Sequence, residues 1–508
     1  MLTYLRLTGL AGSLLLAIAG WYGGAVAHAD LSSTPMSIAR GPYGPVVLGG
    51  WLIGTGLQAW AWWSARDRIP SVRWSVVTAL LWMLPFLFTP PMGSRDLYSY
   101  ACQGEMFLHG VDPYLHGVDA LPCSWLETVS TIWRDTPTPY GPLSILIAAA
   151  AVTIGGGLTG TLIVFRLATL AGLLAIAAGL PAIARRCGIP PQRAIWLALA
   201  GPLVGAHMLA APHNDAIMLG LAVLALSLLV RLGNHPSAAV GSGALSGAGT
   251  LPGSGALSGS GTLFGSGKLF VSGVLLGSGA LLGLAVAVKA TAGVLIPFAV
   301  LITGVAFLRS ALLIGTGSLL SFGGVTIASG LGLGWIPAMR VGDGLIQFTS
   351  LPTAVGMTLT YTGRLFSPTF DAVPAVRNVA LILLISTLVF LWFRAFRADD
   401  RPRAALHNAA LSLAAFVALV PVFHAWYLLW PLTLLAATTL RTRLAMTLTI
   451  AAAYLVLPDG GGLSRFVKFP GAPLVVIALI ALLTVELRRR RRRSADPLEP
   501  PTALPASP

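Results

Sequence analysis

Charged side chains are scarce in this chain: Asp, Glu, Lys and Arg make up 10% of its 508 residues. A soluble domain carries about 25%, so a soluble enzyme is excluded. Acidic residues are the scarcer sign, 17 against 32 Lys and Arg, so each one beside an apolar run needs a reason. Three cysteines are too few for a disulfide scaffold. No Gly-rich phosphate loop follows a strand-like segment, which leaves a nucleotide-sugar site without its usual cradle. Apolar residues fill the chain instead, at 56%, with a mean hydropathy of +0.81. Many of the 58 Gly and 35 Pro are spread through these apolar runs, where membrane helices tolerate them. The expected fold is an all-α polytopic membrane protein built as one large bundle.

The formal net charge of +15 does not point to nucleic acid. The cations sit in short clusters between apolar runs, as the positive-inside rule requires. Runs near 8–28, 45–63, 72–91, 159–183, 194–211, 216–230, 270–288, 290–308, 311–334, 378–396, 405–423, 426–440, 444–458 and 471–487 predict about fourteen spans, within a range of about 13 to 15. Arg66, Arg68 and Arg73, then Arg185, Arg186 and Arg193, and later Arg394, Arg397, Arg401 and Arg403 all fall on one side if both termini are cytoplasmic. Residues 141–156 are apolar but short, and a full crossing there would invert every later cluster. They are expected to form a re-entrant or half-spanning helix. The segment Arg488 to Arg493 reads as a stop-transfer run and anionic-lipid anchor.

The bundle is expected over 1–487, with a basic and then Pro-rich cytoplasmic tail over 488–508. Residues 1–29 read either as an anchor or as a signal peptide ending in Ala-His-Ala before Asp30. Residues 241–278 repeat with a period of twelve, in copies starting at Gly241, Gly253 and Gly265. Gly and Ser bury too little side chain to offset their ordering entropy, so 232–269 is expected to be a flexible cytoplasmic loop.

The stretch 92–140 is the least membrane-like part and holds six of the 17 acidic residues, mixed with Tyr98, Tyr100, Tyr114, Trp125, Trp133 and Tyr140. Carboxylates bind sugar hydroxyls and rings pack on apolar sugar faces, although any solvated loop is also acidic. Asp96 lies at the membrane boundary, where burial is expected to raise its pKa toward a useful value for a base. It also suits the role of helix cap for 97–108. His213-Asn214-Asp215 interrupts an apolar stretch on the same outer face, with Asp215 placed to cap the helix that follows. Arg166 and Lys289 lie inside apolar runs and each needs an anionic partner, such as a phosphate-bearing lipid. His424, Trp426 and Tyr427 sit at another outer boundary, as an aromatic belt or as a site wall. Cys102 and Cys123 share the outer loop, where a disulfide is permitted. No set of metal ligands at fixed spacing is evident.

Several stretches taken together resemble a known family. SRDLYSYACQG (94–104), GVDPY (110–114), TPTPYGPL (136–143), HMLAAPHND (207–215), VAVKATAG (286–293) and AWYLLWP (425–431) resemble the actinobacterial polyprenol-phosphomannose-dependent α-1,6-mannosyltransferases. These belong to the GT-C superfamily of membrane glycosyltransferases. The resemblance implies a GT-C bundle in the plasma membrane, with a large first extracytoplasmic loop (92–140) carrying the catalytic site. It implies polyprenyl-phosphate mannose as donor, a lipid-anchored mannan or phosphatidylinositol mannoside as acceptor, and no cofactor. Asp96 takes the place of the catalytic base. Arg95, Tyr98, Tyr100, Gln103, Asp112, Tyr114, Tyr140, Arg166, His213, Asn214, Asp215, Lys289, His424, Trp426 and Tyr427 fall in or near the matched stretches as substrate-binding candidates. Family members often carry Glu where this chain has Asp215. The rival classes are a lipid-linked sugar transporter or flippase and a non-catalytic envelope-assembly protein, neither of which needs a base at the membrane edge.

Overall fold

The computed structural model describes residues 1–26, 34–233, 260–462 and 469–495. The Ala-His-Ala site before Asp30, the first half of the repeat and the Pro-rich tail lie outside the described residues. Sixteen helices organise the rest: α1 (Leu2–Gly23), α2 (Gly44–Ala65), α3 (Val72–Phe88), α4 (Asp96–Leu108), α5 (Pro142–Gly155), α6 (Leu158–Arg186), α7 (Pro191–Leu199), α8 (Asp215–Gly233), α9 (Ser260–Val288), α10 (Phe307–Ser329), α11 (Leu351–Gly363), α12 (Val373–Phe396), α13 (Arg401–Leu419), α14 (Leu429–Thr438), α15 (Arg443–Ala453) and α16 (Gly471–Ala495). Among the described residues the only β pairing is a single bridge between Val456 and Gly462. The chain is an all-α polytopic membrane protein.

Among the described residues six helices are long and apolar enough to cross a membrane, or seven if the bent pair Pro191–Leu199 and Pro202–Ala210 counts as one span. Most other apolar runs form shorter helices, because Pro and bends divide them. The run 290–308 is one correction: it holds a 3-10 turn, Ala290–Leu295, and a four-residue helix, Ile296–Ala299, rather than a span. The repeat is another. α9 begins at Ser260, so residues 260–269, expected as loop, are helical and continue into the span expected at 270–288. Helix α11 was not anticipated, because its Thr and Gly content masks the apolar face.

Close helix approach depends on small residues, as in other membrane bundles. α6 and α8 cross at Gly172 and Gly220, where a Cβ on Gly220 would lie 2.5 Å from the Gly172 carbonyl oxygen. Polar ties fix the register elsewhere. Gln58 Nε2 donates to Ser13 Oγ (3.0 Å), and Trp62 and Trp196 each donate an indole N–H to the other's carbonyl. α5 packs against Phe165, early in α6. Its fourteen residues reach only about 21 Å, less than the ~30 Å hydrocarbon core. Exposed apolar side chains line the outer faces of α10 and α12, including Leu319, Ile327, Ile382 and Phe390.

The cationic clusters converge at one end of the bundle. Arg193 meets Asp67 (3.4 Å) and Thr442 (2.9 Å), and Arg186 pairs with Asp400. The opposite end carries the segment 92–140. There Cys102 and Cys123 form a disulfide with a Cα separation of 5.5 Å, which ties α4 to the loop over it.

Candidate active site

The site is assembled where α3 ends and α4 begins. Pro90, Pro91 and Gly93 stop α3, and Gly93 adopts φ +75°, which favours glycine. A Cβ there would also lie 2.8 Å from the His207 ring. The Gly93 amide donates to the Pro458 carbonyl (2.8 Å), which draws the turn 456–462 over the site. The result is a cavity of about 460 Å³ lined by Ser94, Arg95, Asp96, Thr131, Trp133, Gln347, Thr349, His424, Trp426 and Asp459, among others.

Asp96 is the first residue of α4, and the N-cap position belongs to Arg95, with no side-chain cap. The Asp96 carboxylate is therefore not used as a cap. Its Oδ2 lies 3.5 Å from His213 Nε2 instead. Burial acts to raise the Asp96 pKa, but once the facing His213 is an imidazolium it outweighs burial, helped by His424 and Lys289, and holds the carboxyl below its ordinary range. The raised value expected from position alone is thus reversed. Asp96 is therefore a carboxylate at neutral pH. Burial pushes His424 down to about 4, so that side chain is neutral near pH 7.

His213 is brought here by a break in the fifth apolar run, 194–211. Gly205–Ala210 forms a π-helical turn, a feature that often marks functional sites. The chain then extends to His213, whose Nδ1 lies 2.5 Å from the His207 carbonyl oxygen. The His213 ring stacks on Trp426 with centroids 3.9 Å apart, and His424 stacks on the same indole at 4.7 Å.

A second polar layer lies behind this one. Asp215 is fully buried, and its Oδ1 accepts from Lys289 Nζ (2.8 Å) and from Trp430 Nε1 (2.6 Å). The Lys289 ammonium lies over the rings of Tyr140, Tyr427 and Trp430 at 5.6, 4.7 and 5.0 Å. Tyr100 donates to the Tyr140 hydroxyl (3.3 Å), and Asn214 donates to Ser144 (3.1 Å).

The remaining candidates hold the loop together. Tyr98 donates to the Ala25 carbonyl (2.6 Å), Gln103 accepts from Thr138 (3.2 Å), and Asp112 accepts from the Tyr114 amide (2.7 Å). The Tyr114 ring is buried against Ile145 and Trp335. Arg166 departs from expectation. Its guanidinium donates to the carbonyls of Leu87, Thr89, Leu209 and Ala210, so helix-end dipoles take the place of the expected anionic partner. Arg166 thereby ties the end of α3 to the π turn that delivers His213.

Sequence reasoning missed Asp459, Gln347, Thr349 and Trp430. Asp459 had one readable signal: an acid in the turn sequence Pro458-Asp459-Gly460-Gly461-Gly462, following an apolar run. Its Oδ1 accepts from the Gly461 amide (3.0 Å). Among the described residues no three His, Cys, Asp or Glu side chains converge as a metal-ligand set.

A multi-pass helical protein with a buried-edge carboxylate, histidines and aromatic rings around a cavity at one end has the features of a membrane enzyme acting on a polar, ring-bearing substrate. Comparison with known proteins gives the family. Residues 6–305 match the family described as Alpha-(1->6)-mannopyranosyltransferase, N-terminal domain, and residues 352–486 match the MptB C-terminal domain. The chain belongs to the α-(1→6)-mannopyranosyltransferase family. It is similar to α-(1→6)-mannopyranosyltransferase A of Mycobacterium tuberculosis, with 29% identity covering 96% of this chain and 92% of the relative. A second M. tuberculosis α-(1→6)-mannopyranosyltransferase is 30% identical, covering 80% of this chain and 74% of the relative. α-(1→6)-Mannopyranosyltransferase B of Corynebacterium glutamicum is 26% identical, covering 96% and 82%. No solved structure matches this chain.

Proposed function

We propose that the protein is a GT-C membrane mannosyltransferase that moves mannose from polyprenyl-phosphate mannose to a lipid-anchored mannan or phosphatidylinositol mannoside, forming an α-1,6 bond. The observation that carries this reading is Asp96, an ionised carboxylate at the wall of a polar and aromatic cavity at the end of the bundle away from the cationic clusters. On the positive-inside rule that end faces outward from the plasma membrane.

The donor phosphate is already a good leaving group. Bond formation between the acceptor oxygen and mannose C1 accompanies cleavage of the C1–O bond, whose electron pair leaves with the phosphate. Asp96 takes the acceptor's proton as it attacks, and one displacement inverts the anomeric centre. Arg95, in the cavity wall with its guanidinium near the Val26 and Thr128 carbonyls, is the cation assigned to offset the charge of the departing phosphate. Lys289 is committed to Asp215, so its role is to position the wall bearing Tyr140 and Tyr427. Asp459, Gln347 and Thr349 offer polar atoms to acceptor hydroxyls, and Trp133 and Trp426 offer ring faces. The reaction written this way uses only donor and acceptor.

The test is transfer by the purified protein in liposomes, with polyprenyl-phosphate mannose or GDP-mannose as donor and a panel of mannosides and lipomannans as acceptor. Transfer is expected from the polyprenyl donor alone. Movement of the polyprenyl donor across the bilayer without glycoside formation would favour a transporter.

A further inference from the structure

The contact between Asp96 and His213 holds more than the base assignment uses. A carbonyl oxygen only accepts, so the short contact from His213 Nδ1 to the His207 carbonyl fixes a proton on Nδ1. In the neutral ring, Nε2 then carries a lone pair. That lone pair points at Asp96 Oδ2, 3.5 Å away, and Nε2 has no hydrogen-bond partner although the ring is 1% exposed. Two acceptors facing each other in a buried site lack one proton between them. A proton arriving on either atom finds its acceptor already in place.

We propose that His213 receives, through Asp96, the proton that the acceptor hydroxyl gives up during transfer. This rests on the reading of Asp96 as the base. His213 does not touch substrate, so it is a positioning residue acting through Asp96. The acceptor O–H breaks, its oxygen bonds mannose C1, and the proton passes by way of Asp96 Oδ2 to Nε2. The imidazolium formed is faced by the Asp96 carboxylate, hydrogen-bonded to the His207 carbonyl and stacked on the Trp426 indole, all of which favour its charge. The proton leaves to the departing phosphate or to water when the products go. Without His213, Asp96 would end each transfer as a neutral acid until phosphate or water took its proton.

The groups facing the pair come from four elements. His207 lies on the π turn with its ring 5.9 Å from His213, and His424 and Trp426 approach from the segment before α14. Asp215, at the start of α8, is neutralised by Lys289 from beyond α9. Asp96 is thus the ionised group that His213 meets directly.

The pair must be free of its proton to accept the next one, so wild-type kcat should fall on the acid side as the pair fills. Two variants separate this role from packing. His213→Asn places an amide where Nδ1 was and can keep the His207 anchor. His213→Gln places one near Nε2 and can still meet Asp96. Neither amide takes up a proton. Both should lose tenfold or more in kcat with donor KM within about threefold, and in both the acid limb should move to lower pH by about a unit or more. If both variants keep the wild-type pH profile, or if their losses follow only a lowered melting temperature, His213 is a packing residue and the proposal fails. If the wild-type protein makes no glycoside from any donor, it is the transferase reading that fails.

Discussion

Replacing Asp96 by Asn should lower mannose transfer by about two to four decades and leave the protein folded in the membrane. The amide keeps the size of the carboxylate but cannot take the acceptor's proton. Because Arg95 occupies the cap of α4, the helix start gains only the dipole interaction of a first-turn carboxylate, about 0.3–1 kcal/mol, too little to unfold it. Asp112→Asn and Asp135→Asn are the controls. Asp112 serves its own turn through the Tyr114 amide, which Asn can also serve, and both variants should stay within a few-fold of wild type. Transfer is compared at matched protein levels. Near-normal turnover of Asp96→Asn would move the base elsewhere, with Asp459 the other carboxylate in the same cavity wall.

The second large effect concerns the pair behind the cavity. Asp215 is fully buried and Lys289 nearly so, and each neutralises the other. Lys289→Met leaves an uncompensated carboxylate in the core and should destabilise the protein by about 3–5 kcal/mol. Asp215→Asn should cost a similar amount by stranding the ammonium over its three rings. The double variant removes both charges and should recover at least half of the summed loss. Thermal melting of the four proteins closes the cycle. Additive losses would show that the two side chains do not depend on one another.

Much of the bundle was legible because apolar runs in a membrane chain have few alternatives to helices. The site was legible in part because polar residues are so rare: Asp96, His213, Asp215 and Lys289 each stood out against apolar neighbours, and the structure brings them into two adjoining layers. What sequence could not supply was the long-range pairing. The direction of the Asp96 shift depends on His213, delivered from a distant π turn, and position at the membrane edge pointed the other way. The partners of Arg166 are backbone carbonyls, which every residue has and no motif marks. Asp459 joins the cavity because the Gly93 amide bonds to Pro458, a contact between residues with no shared pattern.

The most direct test of the account is the configuration of the bond that is made. A β-linked polyprenyl-phosphate mannose labelled with ¹³C at C1, supplied to the protein in liposomes with a phosphatidylinositol mannoside acceptor, lets NMR read the anomeric carbon before and after transfer. Displacement with Asp96 as the base predicts an α-1,6 product from the β donor. A β-linked product would mean two successive displacements through a covalent intermediate, would require a carboxylate nucleophile in the cavity, and would contradict the single-base mechanism.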